Sequence, residues 1–100
     1  MMTNIKENVK ALWQYVKDCA EDEEINLRAT FAVAVPGFEY DEAMMSDEAI
    51  DALSDDEARA LLFDINYMAI NELFDGDFET WNYTLESLGF DDETIGFLNY

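Results

Sequence analysis

Ser54-Asp55-Asp56-Glu57-Ala58-Arg59-Ala60-Leu61-Leu62-Phe63-Asp64-Ile65-Asn66-Tyr67-Met68-Ala69-Ile70-Asn71-Glu72-Leu73-Phe74 is the stretch on which the fold turns. Ser54 followed three residues later by Glu57 is a capping box: hydroxyl and carboxylate satisfy backbone N–H groups that the first turn of a helix leaves without partners. Behind it Ala58, Leu61, Leu62, Ile65, Met68, Ala69 and Leu73 recur every three or four residues, so one face is apolar and needs a core to cover it. Asp75-Gly76-Asp77 stops the run after Phe74. The spacing predicts the longest helix of the chain here, and a helical protein around it.

Downstream, a further helix starts near Phe78, is expected to bury Phe78, Trp81, Leu85 and Leu88, and ends at Gly89, with Phe90 set to make the apolar contact of a glycine-terminated helix. The tail Asp91–Tyr100 reads as a short helical turn that docks Ile95, Phe97 and Leu98. Upstream, Ser46 before Asp47-Glu48-Ala49-Ile50 is an N-cap with acids in the first turn. At the start, Asn4 with Glu7 forms a second capping box, and Ile5, Val9, Leu12, Trp13 and Val16 predict an amphipathic helix over 4–20, broken by Glu21-Asp22-Glu23-Glu24. From Ile25 to Val35 apolar residues alternate with Asn26, Arg28, Thr30, Ala32 and Ala34. That suits a strand, and with Ala on half of the second face a helix fits almost as well. Val35-Pro36-Gly37-Phe38 carries a type II turn signal, and the residue before proline resists the α region. The fold class is therefore mainly α, a single small domain over 1–100 with four to five helices, in which a short β-hairpin at 25–40 is the one competing element.

Twenty-four Asp and Glu against five Lys and Arg, with no His, make a net charge of −19 on a chain that is still half apolar. Fourteen per cent aromatics argue against disorder. Direct nucleic-acid binding needs clustered Lys and Arg, so the sign is wrong for it, and anionic membranes repel the chain. No apolar run reaches the length of a bilayer span. A lone cysteine, Cys19, closes no internal disulfide, which points to a reducing cytoplasm; among acidic neighbours it reads as a small apolar side chain rather than a reactive thiol. Without histidine, the common nucleophile–base pairs and zinc sites lack material, and the glycines at 37, 76, 89 and 96 build no phosphate loop. Asp75–Glu79 and Asp91–Gly96 fail the positional pattern of a calcium loop, and no Asp-Ser-Leu opens a helix as an acyl-carrier arm requires. The expectation is a protein that is not an enzyme and needs neither cofactor nor metal.

The acids are unevenly placed. Lys6, Lys10 and Lys17 outweigh Glu7 and Asp18 over residues 1–20, whereas residues 21–100 hold all other acids against Arg28 and Arg59 alone. Solubility is served by a net charge of about 2–8 in a small domain, and a larger excess destabilises the compact state. Helix first turns account for part of it, at Asp47, Glu48, Asp55, Asp56, Glu57 and Asp91. Asp47, Asp51 and Asp55 step by four, a spacing of about 5–6 Å on a helix face, comparable with the phosphate repeat of a nucleic-acid strand. Further clusters lie at Glu21, Asp22, Glu23 and Glu24; Glu39, Asp41 and Glu42; Asp75, Asp77 and Glu79; and Asp91, Asp92 and Glu93. Trp13, Phe31, Phe63, Phe74, Phe78, Trp81, Phe90 and Phe97 read as core. Tyr40, Tyr67, Tyr83 and Tyr100 are candidates for a partly exposed surface, where a tyrosine among acids can anchor in a partner's cleft, and Met44-Met45 is either such a contact or core filling.

In size, charge and helical make-up the sequence resembles the DNA-mimic inhibitor proteins of phages and mobile elements, among them antirestriction and anti-CRISPR proteins. The likeness is one of overall character and carries over no functional residue. It implies a protein that fills the basic DNA- or RNA-binding channel of a host defence nuclease complex. The expected contact set comes from the placement of the acids and tyrosines themselves: Tyr40 and the acids at 21–24, 41, 42, 47, 48, 51, 55, 56, 75, 77, 79, 91 and 92. Its partner is a basic protein, and a homodimer would extend the acidic surface. Two other readings share the electrostatics: an immunity protein against a nuclease toxin, and a salt-adapted domain with no inhibitory role.

Overall fold

The computed structural model describes residues 5–98, the side chain of Met44 apart. In chain order these form α1 (Ile5–Asp22), α2 (Leu27–Ala34), a 3-10 turn (Glu42–Met45), α3 (Asp47–Asp51), α4 (Asp55–Met68), a wider π turn (Ala69–Leu73), α5 (Phe78–Ser87) and α6 (Asp92–Leu98). Asn4 and Tyr100 lie outside the described residues. The Ser54 capping box forms as read: Glu57 N–H donates to the Ser54 hydroxyl at 3.2 Å and Ser54 N–H to the Glu57 carboxylate at 3.1 Å. Ser46 caps α3 through Ala49 N–H. At the end of α5, Gly89 is left-handed at φ 93°, its N–H donates to Glu86, and Phe90 N–H reaches back to Leu85 with the Phe90 ring buried.

The stripe expected to run as one helix to Phe74 widens after Met68, where Phe74 N–H bonds the carbonyl of Ala69, five residues back. Met68, Ala69 and Ile70 are consequently buried in succession. Two left-handed residues, Asp75 and Gly76, then end the segment.

The core is built on α1 and α4, whose mutual contact is the most extensive in the molecule. Val9, Leu12 and Val16 of α1 and Leu62, Ile65 and Met68 of α4 belong to one core, all fully buried, and each such side chain contributes about 1.5–3 kcal/mol. Phe31, Ile50, Trp81 and Leu85 close the sides, and Ile95 and Leu98 dock the last helix. One polar pin crosses this core: the Trp81 indole N–H donates to Asn66 Oδ1 at 2.6 Å, and Asn66 Nδ2 donates to the Leu98 carbonyl at 3.3 Å, tying α4, α5 and α6 together.

The β-hairpin considered over 25–40 is not formed, and among the described residues there is no strand. Asn26 decides the matter locally. Its side chain accepts from Arg28 N–H at 3.1 Å and Ala29 N–H at 3.3 Å, an N-cap that opens α2. The buried set is then Phe31 and Ala34, at helical spacing. A strand would have put Val33 on the same inward face as Phe31, yet Val33 is 71% exposed. Val35 ends α2 before Pro36, and Gly37 turns the chain at φ 88° with Phe38 N–H returning to the Val35 carbonyl. Two aromatic assignments also change. Phe78 occupies the first position of α5, before the helix has turned toward the core, and is 55% exposed; Phe63 sits on the flank of the α4 stripe, half-open and edge-on to Phe97 at 5.1 Å.

Candidate functional site

Of the acids expected to make contact, all are exposed except the half-buried Asp91, but many are already engaged. Asp41 accepts from Ala43 N–H, Asp91 from Thr94 N–H, and Asp77 from both the N–H and the hydroxyl of Thr80. Those Thr80 hydrogen bonds hold the Asp77 carboxyl below its ordinary range, as the Ser54 bonds do for Glu57. Asp56 pairs with Arg59 at 3.2 Å.

Asp51 is the most committed of them. Its carboxylate meets Lys10 Nζ at 2.8 Å, its carbonyl accepts from Lys6 Nζ at 2.9 Å, and the pairing raises the Lys10 pKa. It staples α3 to the lysine-bearing half of α1. The row Asp47, Asp51, Asp55 is therefore not a continuous phosphate-like ladder. Asp47 and Asp51 share α3, but the Ser54 capping box starts a new helix, so the next step falls on a different axis.

What remains without a side-chain hydrogen bond or ion pair among the described residues is Glu21, Asp22, Glu23, Glu24, Glu42, Asp47, Glu48, Asp55, Asp75, Glu79 and Asp92. Asp47, Glu48, Asp55, Glu79 and Asp92 lie in helix first turns, where the N-terminal end of the dipole favours them. Glu21–Glu24 sit at the opposite end of a helix. Four carboxylates crowd the C-terminus of α1, where the dipole opposes each, and Glu24 is also forced left-handed at φ 58° so that Ile25 N–H can reach the Ala20 carbonyl. Folding stability accounts for the first group and is diminished by the second.

That end of α1 opens onto a groove of about 1400 Å3 between α1, the start of α2 and the segment 38–46. Trp13, Phe38 and Tyr40 form part of its lining, and Glu21, Glu39, Asp41 and Glu42 bring four carboxylates to it. Behind the wall Phe31 stacks on Phe38 at 4.9 Å and on Tyr40 at 5.5 Å, with Trp13 5.7 Å from Tyr40. Tyr40 is thus half-buried, and burial, then the charges of Glu42 and Asp41, push its hydroxyl pKa up. Lys17 and Arg28 also line the groove and make no ion pair among the described residues. The structure thus gathers Glu21, Tyr40, Asp41 and Glu42 from the expected set, and leaves Asp22, Glu23, Glu24, Asp47, Glu48, Asp51, Asp55, Asp56, Asp75, Asp77, Glu79, Asp91 and Asp92 outside its lining. Tyr67 and Tyr83 are exposed as expected. Met45 is core, which answers one half of the Met44-Met45 question.

Asp64 escaped the sequence reading, since on α4 it looks like any solvent-facing acid. It borders a smaller depression of about 300 Å3 with Ala34, Val35, Pro36, Phe63 and Tyr67, and burial raises its pKa. No group of three metal-ligating side chains converges among the described residues, and no helix there is long and apolar enough to cross a membrane. Comparison with protein families, with curated proteins and with solved structures finds no match.

Proposed function

We propose that this chain is an acidic nucleic-acid mimic, which binds the basic DNA- or RNA-binding channel of a nuclease complex in the manner of antirestriction or anti-CRISPR inhibitors. The observation that supports this reading best is the Glu21–Glu24 run. It stands at a helix C-terminus, where it costs stability, makes no ion pair among the described residues, and through Glu21 lines the same groove as the Glu39–Glu42 segment. A cation-lined channel built for phosphates accepts such carboxylates, and the remaining charge of the molecule steers the encounter over a Debye length of about 8 Å at physiological salt.

Displacement of labelled duplex or guide RNA from a panel of restriction and RNA-guided nuclease complexes tests it. The expected result is competitive release from at least one complex, weakening steeply between low and moderate salt and reduced by joint reversal of Glu21, Glu23 and Glu24 to Lys. Nucleic acid that stays bound to every complex at large molar excess of this protein would refute the reading.

A further inference from the structure

The groove combines two recognition elements that act on the same kind of side chain. Tyr40 and Phe38 are half-buried, held from behind by the fully buried Phe31, so each is rigid and retains area toward the groove. In sequence Tyr40 is bracketed by Glu39, Asp41 and Glu42, and the groove receives Glu21 from the facing helix. An aromatic face rimmed by carboxylates favours a planar cation, which can lie on the ring and hydrogen-bond at its edge together.

We infer that this groove is the socket for an arginine-bearing segment of the protein partner, a guanidinium lying over Tyr40 and pairing with the carboxylates of Glu39 and Glu42. The inference rests on the partner being a basic protein, as proposed above, and assigns the place where one of its side chains is held. Charge complementarity selects this occupant over an anion. The acids of the groove outnumber Lys17 and Arg28 and are not neutralised by them, and the whole chain carries −19. Burial first, and then the charges of Glu42 and Asp41, raise the pKa of the Tyr40 hydroxyl, which places both acids close to that ring.

Titration with a short oligoarginine peptide at physiological ionic strength, followed by NMR, tests the socket. The Tyr40 and Phe38 ring resonances and the Trp13 indole N–H should shift, while the Trp81 indole N–H, bonded to Asn66 inside the core, stays in place. Tyr40→Leu, with helical circular dichroism retained, should weaken binding about three- to tenfold. Glu39→Gln with Glu42→Gln should weaken it about tenfold, and the same loss of charge at Glu72 and Glu86 less than twofold. Equal weakening by the two pairs, equal affinity for oligolysine, or the same ring shifts on adding a nucleoside monophosphate would each overturn the inference. The two proposals fail separately: nuclease binding with Tyr40 unperturbed removes the socket alone, whereas oligoarginine seated on Tyr40 with no nucleic acid released from any nuclease removes the mimic alone.

Discussion

The half of the molecule built by α4, α5 and α6 and the end where α1 meets α2 treat the same residue type in opposite ways. In the first, acids are caps. Glu57, Asp77 and Asp91 each accept a backbone N–H near the start of a helix, and the core beneath is pinned through Asn66 and Trp81. In the second, four acids stand at a helix C-terminus, one of them left-handed, beside an open groove that collects more. The same carboxylate is worth something at one end of a helix and costs at the other, because the peptide dipoles present N–H groups at the start and carbonyls at the finish. A surplus that opposes folding at one location and assists it elsewhere is informative only at the location where it opposes.

Mutations sharpen or break this contrast. The largest effect is expected from Asn66→Leu, which leaves the buried Trp81 N–H and the Leu98 carbonyl without partners and should destabilise by about 2–3 kcal/mol. In a domain of this size that lowers the thermal midpoint by more than about 8 °C in a calorimetric scan. A neutral result would mean that the pinned half is no better ordered than the acidic end.

Ser54→Ala comes next, with a loss of about 1 kcal/mol in urea unfolding. The pH dependence of that half follows from the same caps. Glu57 and Asp77 bind protons less readily folded than unfolded, so their contribution is complete above the ordinary carboxylate pKa and disappears as pH falls through the depressed values. Stability of Glu57→Gln and Asp77→Asn variants measured against pH should therefore converge on the parent in acid.

Glu24→Gly should act in the opposite direction and gain about 1 kcal/mol, by supplying the residue that a left-handed cap prefers and removing a carboxylate from the wrong end of α1. Glu24→Gln, which keeps the strained backbone, should recover only the electrostatic part. If both gain nothing, α1 does not suffer from its acidic end and the contrast fails.

The smallest shift is expected at Asp64. Its raised pKa means that the folded state binds the proton more tightly than the unfolded one, so ionisation lowers stability as pH rises through the folded value. Asp64→Asn should raise the thermal midpoint slightly at neutral pH, and the gain should fade in acid. For the protein as a whole, screening of the unpaired acids should raise stability up to moderate salt and then level off. A rise that continues into molar KCl would favour the salt-adapted reading.

Helix ends were the most legible part of the sequence. Ser46, Ser54 with Glu57, and Gly89 with Phe90 act through hydrogen bonds spanning a few residues, so local sequence suffices. The stretch 25–35 was less so. Over so few residues an alternating and a helical pattern share most of their positions, and Asn26 was read only as one of the alternating polar residues, not as the cap it forms. The acid row at 47, 51 and 55 was misread because counting by four ignores the helix break that Ser54 itself announces, and the Lys10–Asp51 pair could not be seen between residues so far apart in the chain.

Composition and short-range patterning alone established a helical chain with a strong negative excess confined to its last four-fifths, since charge and capping are properties of neighbours. Only the tertiary structure decided which carboxylates are consumed by caps and lysines and which are left over, and that Glu21 and the 39–42 segment face one groove. Those outcomes depend on how α1, α2 and the turn after Pro36 pack, and packing brings together residues that no local spacing relates.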